Sequence, residues 1–311
     1  MSLRRVCLWM GMIAALESGC APADTSGAGG TADTTSSAAS GLTVVTDKFD
    51  VPAGDVFDCY YTGVVTKEEL SVWRISGKQG PGGHHITVYT TDQTKNGHTP
   101  CTDQEMTSWT MIGGADVPNS GEPVISLPEG FAYKVAAGKQ IALQIHYINT
   151  TGETYSTQDE VTLSTIDPAK VDSYVNLFTV VDLSVNLPAN AATTRVSSAT
   201  IKQDVQLFWL GGHMHELGTH YTAEMVDGTG KTDVFYDHDW SAAFSSHPPT
   251  DVFSRDAPFV IKAGTTIRQT CQWNNNTPND VVFPREMCVM FGFYFPDNGN
   301  EIIYNAHLQK P

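Results

Sequence analysis

Five histidines and one methionine are the residues of this 311-residue chain whose types and spacing could do chemistry. His84 and His85 stand in Gly83-His84-His85-Ile86, His146 in Gln144-Ile145-His146-Tyr147, His213 and His215 in Gly212-His213-Met214-His215, and Met287 in Glu286-Met287-Cys288. Three fall in each half. Imidazole suits copper, zinc, iron and nickel, whereas a thioether is a soft ligand that selects copper, above all copper(I). An all-histidine triad beside a His-His-Met triad therefore suggests two copper centres with different jobs.

Each residue has a plainer reading. Side chains two apart on a strand project from one face, so His213 and His215 can close on one ion without distorting the backbone, although an exposed H-x-H also arises by chance. Met287 lies in an apolar segment where methionine usually fills core. His84 and His85 are adjacent and would point to opposite faces of a regular strand. They reach one ion only if the backbone kinks, which Pro81-Gly82-Gly83 makes cheap. His146 alternates with the apolar Ile145 and Tyr147, shares a face with Gln144, and alone could be a hydrogen-bonded barrel histidine. Of the other histidines, His238 in Asp237-His238-Asp239-Trp240 could bind a cation but reads more often as a hydrated loop, and His247-Pro248-Pro249 as a turn.

The elements that must position these residues are strands. Short alternating or β-branched runs recur between Gly, Pro, Asn and Asp: Leu42 to Val45, Ile86 to Thr90, Ile141 to Asn149, Val161 to Ser164, Val205 to Leu210, Thr265 to Trp273 and Met287 to Phe295. This is the pattern of β-sandwich or jelly-roll domains. Helical periodicity is nearly absent, with Thr66 to Val72 the best candidate for a short helix. The expectation is an all-β chain of two tandem jelly-roll sandwiches, an N-terminal domain over residues 42–166 and a C-terminal domain over 167–311.

Residues 1–20 read as an export signal: Arg4 and Arg5 precede an apolar run from Val6 to Leu16, too short to span a bilayer. Ser18-Gly19-Cys20 offers small residues at a cleavage point. Cys20, with the Ser/Thr/Gly/Ala-rich tether over 21–41, resembles a bacterial lipoprotein start, with Glu17 where such a start usually carries leucine. A cell-surface or periplasmic lipoprotein, or a secreted protein, is expected, with a possible lipid anchor through Cys20. The formal net charge of −16 repels phosphate backbones and excludes nucleic acid as a plausible partner.

Removing the signal leaves Cys59, Cys101, Cys271 and Cys288 beyond Cys20. Four cysteines allow three connectivities, and one bridge per half, Cys59 to Cys101 and Cys271 to Cys288, is the economical one in an oxidising compartment. Free thiols are the alternative.

Taken together, Asp55-Val56-Phe57-Asp58-Cys59, Gly83-His84-His85, Leu143-Gln144-Ile145-His146-Tyr147, His213-Met214-His215 with Leu217-Gly218, and Glu286-Met287-Cys288 resemble, in order and approximate spacing, the copper type II, ascorbate-dependent monooxygenases. That family includes the peptidylglycine α-hydroxylating and dopamine β-monooxygenases. The resemblance spans roughly residues 42–311. It implies two jelly-roll domains across a solvent-filled cleft and two copper ions. An electron-transfer copper would sit on His84, His85 and His146, and a catalytic, oxygen-handling copper on His213, His215 and Met287. Ascorbate or another one-electron donor would be co-substrate with dioxygen, and Gln144 could orient His146.

The peptide-hydroxylating members anchor a substrate carboxylate through polar residues at four places where this chain has Phe57, Gly211, Val289 and Phe291. A buried anion without a partner is heavily penalised, so a neutral or apolar small-molecule substrate is expected. The protein itself is expected to be a monomer. The competing functions are a non-catalytic copper-binding surface protein and a structural double sandwich with incidental histidines. No Ser-His-Asp set, paired catalytic carboxylates, P-loop or dinucleotide fingerprint is recognisable.

Overall fold

A computed structural model of the chain describes residues 41–101, 108–116, 122–123, 126–245 and 247–308. The export signal, Cys20 and all but the last residue of the tether lie outside them. The described chain is all-β, its strands gathered into several sheets, and its described residues fall in one compact unit. Gly41, at the end of the expected tether, opens the first strand opposite Ser164.

In the first half, a six-stranded sheet runs in the order Asn96–Pro100, Gly54–Val65, Gln140–Asn149, Gly83–Thr91, Thr110–Asp116, Glu122–Pro123. Part of a ten-stranded sheet, the strands Gly41–Val45, Glu160–Thr165, Leu70–Lys78 and Phe131–Val135, supplies the other layer. The second half continues that sheet with Ser173–Val181, Val289–Tyr294, Val205–His213 and Thr250–Val252. It adds a five-stranded sheet in the order Thr232–Asp239, Gly218–Val226, Thr266–Asn275, Ala191–Thr200, His307–Leu308.

Residue pattern explains these roles. Thr266–Asn275 alternates buried and part-exposed positions almost without a break, as a strand with one covered face must. Val205–His213 is buried from Leu207 to Gly212, leaving only Gln206 exposed. Where Thr66 to Val72 suggested a helix, the structure has a bend followed by the strand Leu70–Lys78, with Leu70 opposite Val135 and Val72 opposite Tyr133. The helix-forming run Lys67-Glu68-Glu69 loses to burial of the apolar residues beside it, because tertiary pairing outweighs local propensity.

The two halves are sewn together. Ser173–Val181 pairs in parallel with Phe131–Val135, making one sheet continuous across the chain's midpoint, just after a single 3-10 turn over Pro168–Lys170. Phe131 of the first half stacks on Phe208 (ring centroids 5.3 Å) and meets Phe295 edge-on at 4.9 Å. Each such buried ring contributes roughly 1.5–3 kcal/mol. Two disulfides complete the frame, Cys59–Cys101 in the first half and Cys271–Cys288 in the second. The second closes a separation of 17 residues and ties the five-stranded sheet to the segment entering Val289–Tyr294, worth about 3 kcal/mol by loop-closure entropy.

Candidate metal centres

The first cluster is built by sheet register. His85 pairs with His146 across Gly83–Thr91 and Gln140–Asn149, but the next partner of Tyr147 is Gly83, so His84 is the extra residue of a β-bulge. The bulge lets two adjacent histidines serve one point. It is braced around Gly82, whose φ of 77° only glycine adopts cheaply. Ile148 N–H donates to Gly82 O at 2.8 Å, Gly80 N–H to the Tyr147 hydroxyl at 2.9 Å, and the Tyr155 hydroxyl to Pro81 O.

The three Nδ1 atoms converge. His84 Nδ1 lies 3.1 Å from His85 Nδ1, which lies 3.4 Å from His146 Nδ1, and one candidate ligand atom from each residue falls within 4.8 Å of the others. Metal–imidazole bonds of about 2.0 Å in a tetrahedron hold ligand nitrogens about 3.3 Å apart, so these residues fit a metal ion. His146 Nε2–H donates to Asp55 Oδ1 at 2.5 Å, which turns the lone pair of Nδ1 toward the other rings. Phe57, the direct cross-strand partner of His146, stacks flat on it at 4.0 Å and 7°. Burial, then the neighbouring His146, His84, His247 and His213, hold the His85 imidazole well below its ordinary pKa, leaving it neutral and able to donate electrons to a metal.

The second cluster is built differently. His213 ends its strand, His215 follows in the turn, and the two rings stand 4.9 Å apart at 81°. Burial, with His215 beside it, pushes His213 down to about 3. His215 Nδ1–H donates to Arg285 O at 2.9 Å, which leaves Nε2 as the free donor atom. Glu286 is fully buried and accepts from His215 N (3.1 Å), Leu217 N (2.7 Å) and Trp273 Nε1 (2.9 Å). Burial pushes its pKa up. One carboxylate thus holds the H-x-H turn against the segment carrying Met287.

Met287 is half-buried between the buried Glu286 and the disulfide-bonded Cys288, on the approach to the strand Val289–Tyr294. His213 pairs with Val289 and Gly211 with Phe291, and directly paired residues share a face, so these four line one side of the sheet. Met287 lies two residues before that strand, which begins at Val289. Strand alternation carries the same face on to the paired Trp209 and Phe293, both buried in the core shared with the first half, where Tyr133 meets Phe293 at 6.3 Å. The face bearing the second cluster is turned toward the half bearing the first.

Of the residues expected to line a substrate pocket, Gly211, Val289 and Phe291 stand together on this face beside His213. Phe291 packs on Trp209 at 5.0 Å and meets His213 edge-on at 6.2 Å. Gly211 is closely packed, since a Cβ there would meet Pro249 O at 3.1 Å and Thr250 Cγ2 at 3.2 Å. Phe57 is not with them; it is 46% exposed and belongs to the His146 side. Gln144 shares its strand face with His146 and is half-buried opposite Cys59 and Thr87.

Two further histidines are engaged with carboxylates: His98 with Asp58, and His220 between Asp237 (2.8 Å) and Asp239 (2.9 Å). His238, expected in a hydrated loop, instead sits on the strand Thr232–Asp239 opposite Tyr221, because the Asp-His-Asp run alternates out of a paired sheet. Sequence reasoning missed the roles of Asp55, Glu286 and His247. His247, read as part of a turn, brings its ring to 5.2 Å from that of His84. Asp55 and Glu286 lay within the recognised motifs, but only pairing shows what they hold.

No family model matches the chain, and no curated protein matches it. Among solved structures, similarity is found to the Sulfolobus turreted icosahedral virus, with 10% identity, 84% of this chain, 60% of that chain and a TM-score of 0.24. Similarity is also found to the major capsid protein P2 of bacteriophage PM2, with 11% identity, 84% and 100% coverage and a TM-score of 0.27. Infectious bursal disease virus gives 8% identity, 84% and 73% coverage and a TM-score of 0.22. The chain spans 60% of the length of the first of these. At such TM-scores the likeness carries no argument about what this chain does.

Proposed function

We propose that this chain is an exported copper-dependent monooxygenase that hydroxylates a C–H bond of a neutral or apolar substrate, using dioxygen and a one-electron reductant such as ascorbate. One observation carries the reading: two unlike donor clusters in one chain, three convergent Nδ1 atoms and an H-x-H pair held by Glu286 beside a methionine segment. Their makeup fits copper in both oxidation states at the first and copper(I) at the second. Copper bound there would supply one-electron transfer and oxygen activation, one oxygen atom entering the substrate and the other leaving as water.

The chain's own contributions follow from the contacts above. Asp55 and the Arg285 carbonyl fix the tautomers of His146 and His215, so that Nδ1 of one and Nε2 of the other are presented. Glu286 positions the H-x-H turn. Gly211, Val289 and Phe291 give the second cluster an apolar flank, and none of these three can hold a carboxylate, which favours neutral substrates over peptide C-termini. The Arg4-to-Cys20 leader and two disulfides support a place outside the cytoplasm, with Cys20 as the candidate anchor.

A non-catalytic copper-binding surface protein shares the same ligands, and turnover separates the two. The purified protein is expected to bind two coppers and, over a panel of neutral substrates, to couple ascorbate-dependent oxygen uptake to a hydroxylated product. Met287→Ile should abolish product while His84, His85 and His146 keep their copper. X-ray absorption of the reduced wild type should show about half a sulfur scatterer per copper. Full activity in Met287→Ile would remove the methionine from the site, and copper binding without turnover on any substrate would favour the sequestering protein.

A further inference from the structure

The three imidazoles of the first centre have a neighbour from the other half of the chain. Ring centroids within the triad stand 5.4 Å (His84 to His85), 4.8 Å (His84 to His146) and 4.9 Å (His85 to His146) apart, all edge-on. His247 stands 5.2 Å from His84, also edge-on at 68°. Imidazoles bound at about 2.0 Å place their centroids about 3.2 Å from the ion, so four in a tetrahedron are spaced about 5.2 Å apart. The His84–His247 spacing is that of fellow ligands.

We infer that His247 is a fourth imidazole of the first metal centre, delivered across the junction of the halves by the segment His247-Pro248-Pro249-Thr250. This rests on the copper reading above and extends it. Among the described residues the tight set of nitrogens within 4.8 Å comprises His84, His85 and His146, so His247 would have to turn its exposed ring to join them.

The loop is built to hold the ring there. His247 N–H donates to Ala243 O at 3.3 Å, and Pro248 and Pro249 stiffen the exit. Pro249 O accepts from the Tyr236 hydroxyl at 2.9 Å, and Thr250 pairs with Gly211, two residues before His213. A metal held by His84, His85, His146 and His247 is therefore fastened to the strand that carries the second centre. Loading the first centre would draw the halves together around the apolar face of Gly211, Val289 and Phe291. Being the exposed member, His247 is also the ligand able to leave.

The test uses the full chain carrying His213→Ala and His215→Ala, which leaves copper(II) only the first centre. Pulsed electron paramagnetic resonance should count four coordinated imidazoles in that protein and three when His247→Ala is added. Removing the fourth ligand should weaken copper(II) binding about ten-fold. Amide exchange over residues 243–249 should slow on copper addition with His247 present and not in His247→Gln. An unchanged imidazole count with unchanged affinity overturns the inference and leaves the three-histidine centre standing. No copper(II) binding in either protein overturns the copper reading and the inference together.

Discussion

The two donor clusters are made by opposite means. His84, His85 and His146 sit on neighbouring strands of one sheet, and their convergence is a matter of register: one bulge, one direct pair and a hydrogen-bonded ladder on either side. His213, His215 and Met287 lie where a strand ends, where a turn begins and on the approach to another strand. A buried carboxylate and a disulfide hold those pieces together. A ladder resists change as a whole, since moving one ligand means breaking many bonds, whereas a clamp concentrates the burden on a few groups. Removing one group should therefore do more damage at the second cluster than at the first.

Glu286 gives the largest effect. Glu286→Leu leaves the His215 and Leu217 amides and the Trp273 indole without an acceptor in a buried site, a loss of about 3 kcal/mol or more. Glu286→Gln can still accept from two of the three and should lose about 1–2 kcal/mol. Denaturant unfolding measures both, and copper titration of the milder variant should show the second centre weakened with the first intact. Equal weakening of both centres would break the contrast between ladder and clamp.

Asp55 tests the ladder from its edge. The carboxylate is largely exposed and fixes only the His146 tautomer, so Asp55→Ala should change stability by less than about 1 kcal/mol. Copper affinity of the first centre should fall about 10- to 100-fold, the range for losing a carboxylate that orients a metal-bound imidazole. The second centre should be untouched. A stability loss as large as that of Glu286→Leu would mean that Asp55 carries the strand rather than the ring.

How far these features can be read in the sequence follows the same division. The kink that lets His84 and His85 converge is legible, because adjacent histidines after Pro81-Gly82-Gly83 leave few other geometries, and the structure has its bulge there. The strands are legible from alternation, and one bridge per half from the positions of four cysteines. Thr66 to Val72 was misread because local composition says nothing about Tyr133 and Val135, which pair with the strand that begins at Leu70. The continuous sheet through Phe131–Val135 and Ser173–Val181 is a long-range pairing without local signature. Asp55 and His247 are hidden for the same reason: one acts across a strand pair, the other from a loop about 160 residues away.

Phe57 gives the smallest effect and the finest distinction. Its place in the motif suggests the wall of a substrate pocket, yet its ring lies 4.0 Å from that of His146, as its direct cross-strand partner, while Gly211, Val289 and Phe291 gather beside His213. An aromatic stack of this kind is worth about 0.5–1.5 kcal/mol, so Phe57→Ala should weaken copper at the first centre roughly two- to ten-fold. Because a stacked ring steadies an imidazole without touching substrate, in the proposed monooxygenase KM should hold while turnover slows. Phe291→Ala should do the reverse, raising KM for apolar substrates and leaving the first copper's affinity alone. If Phe57→Ala instead raises KM and spares copper affinity, substrate reaches across to the first half, and the apolar face opposite is only one wall of its pocket.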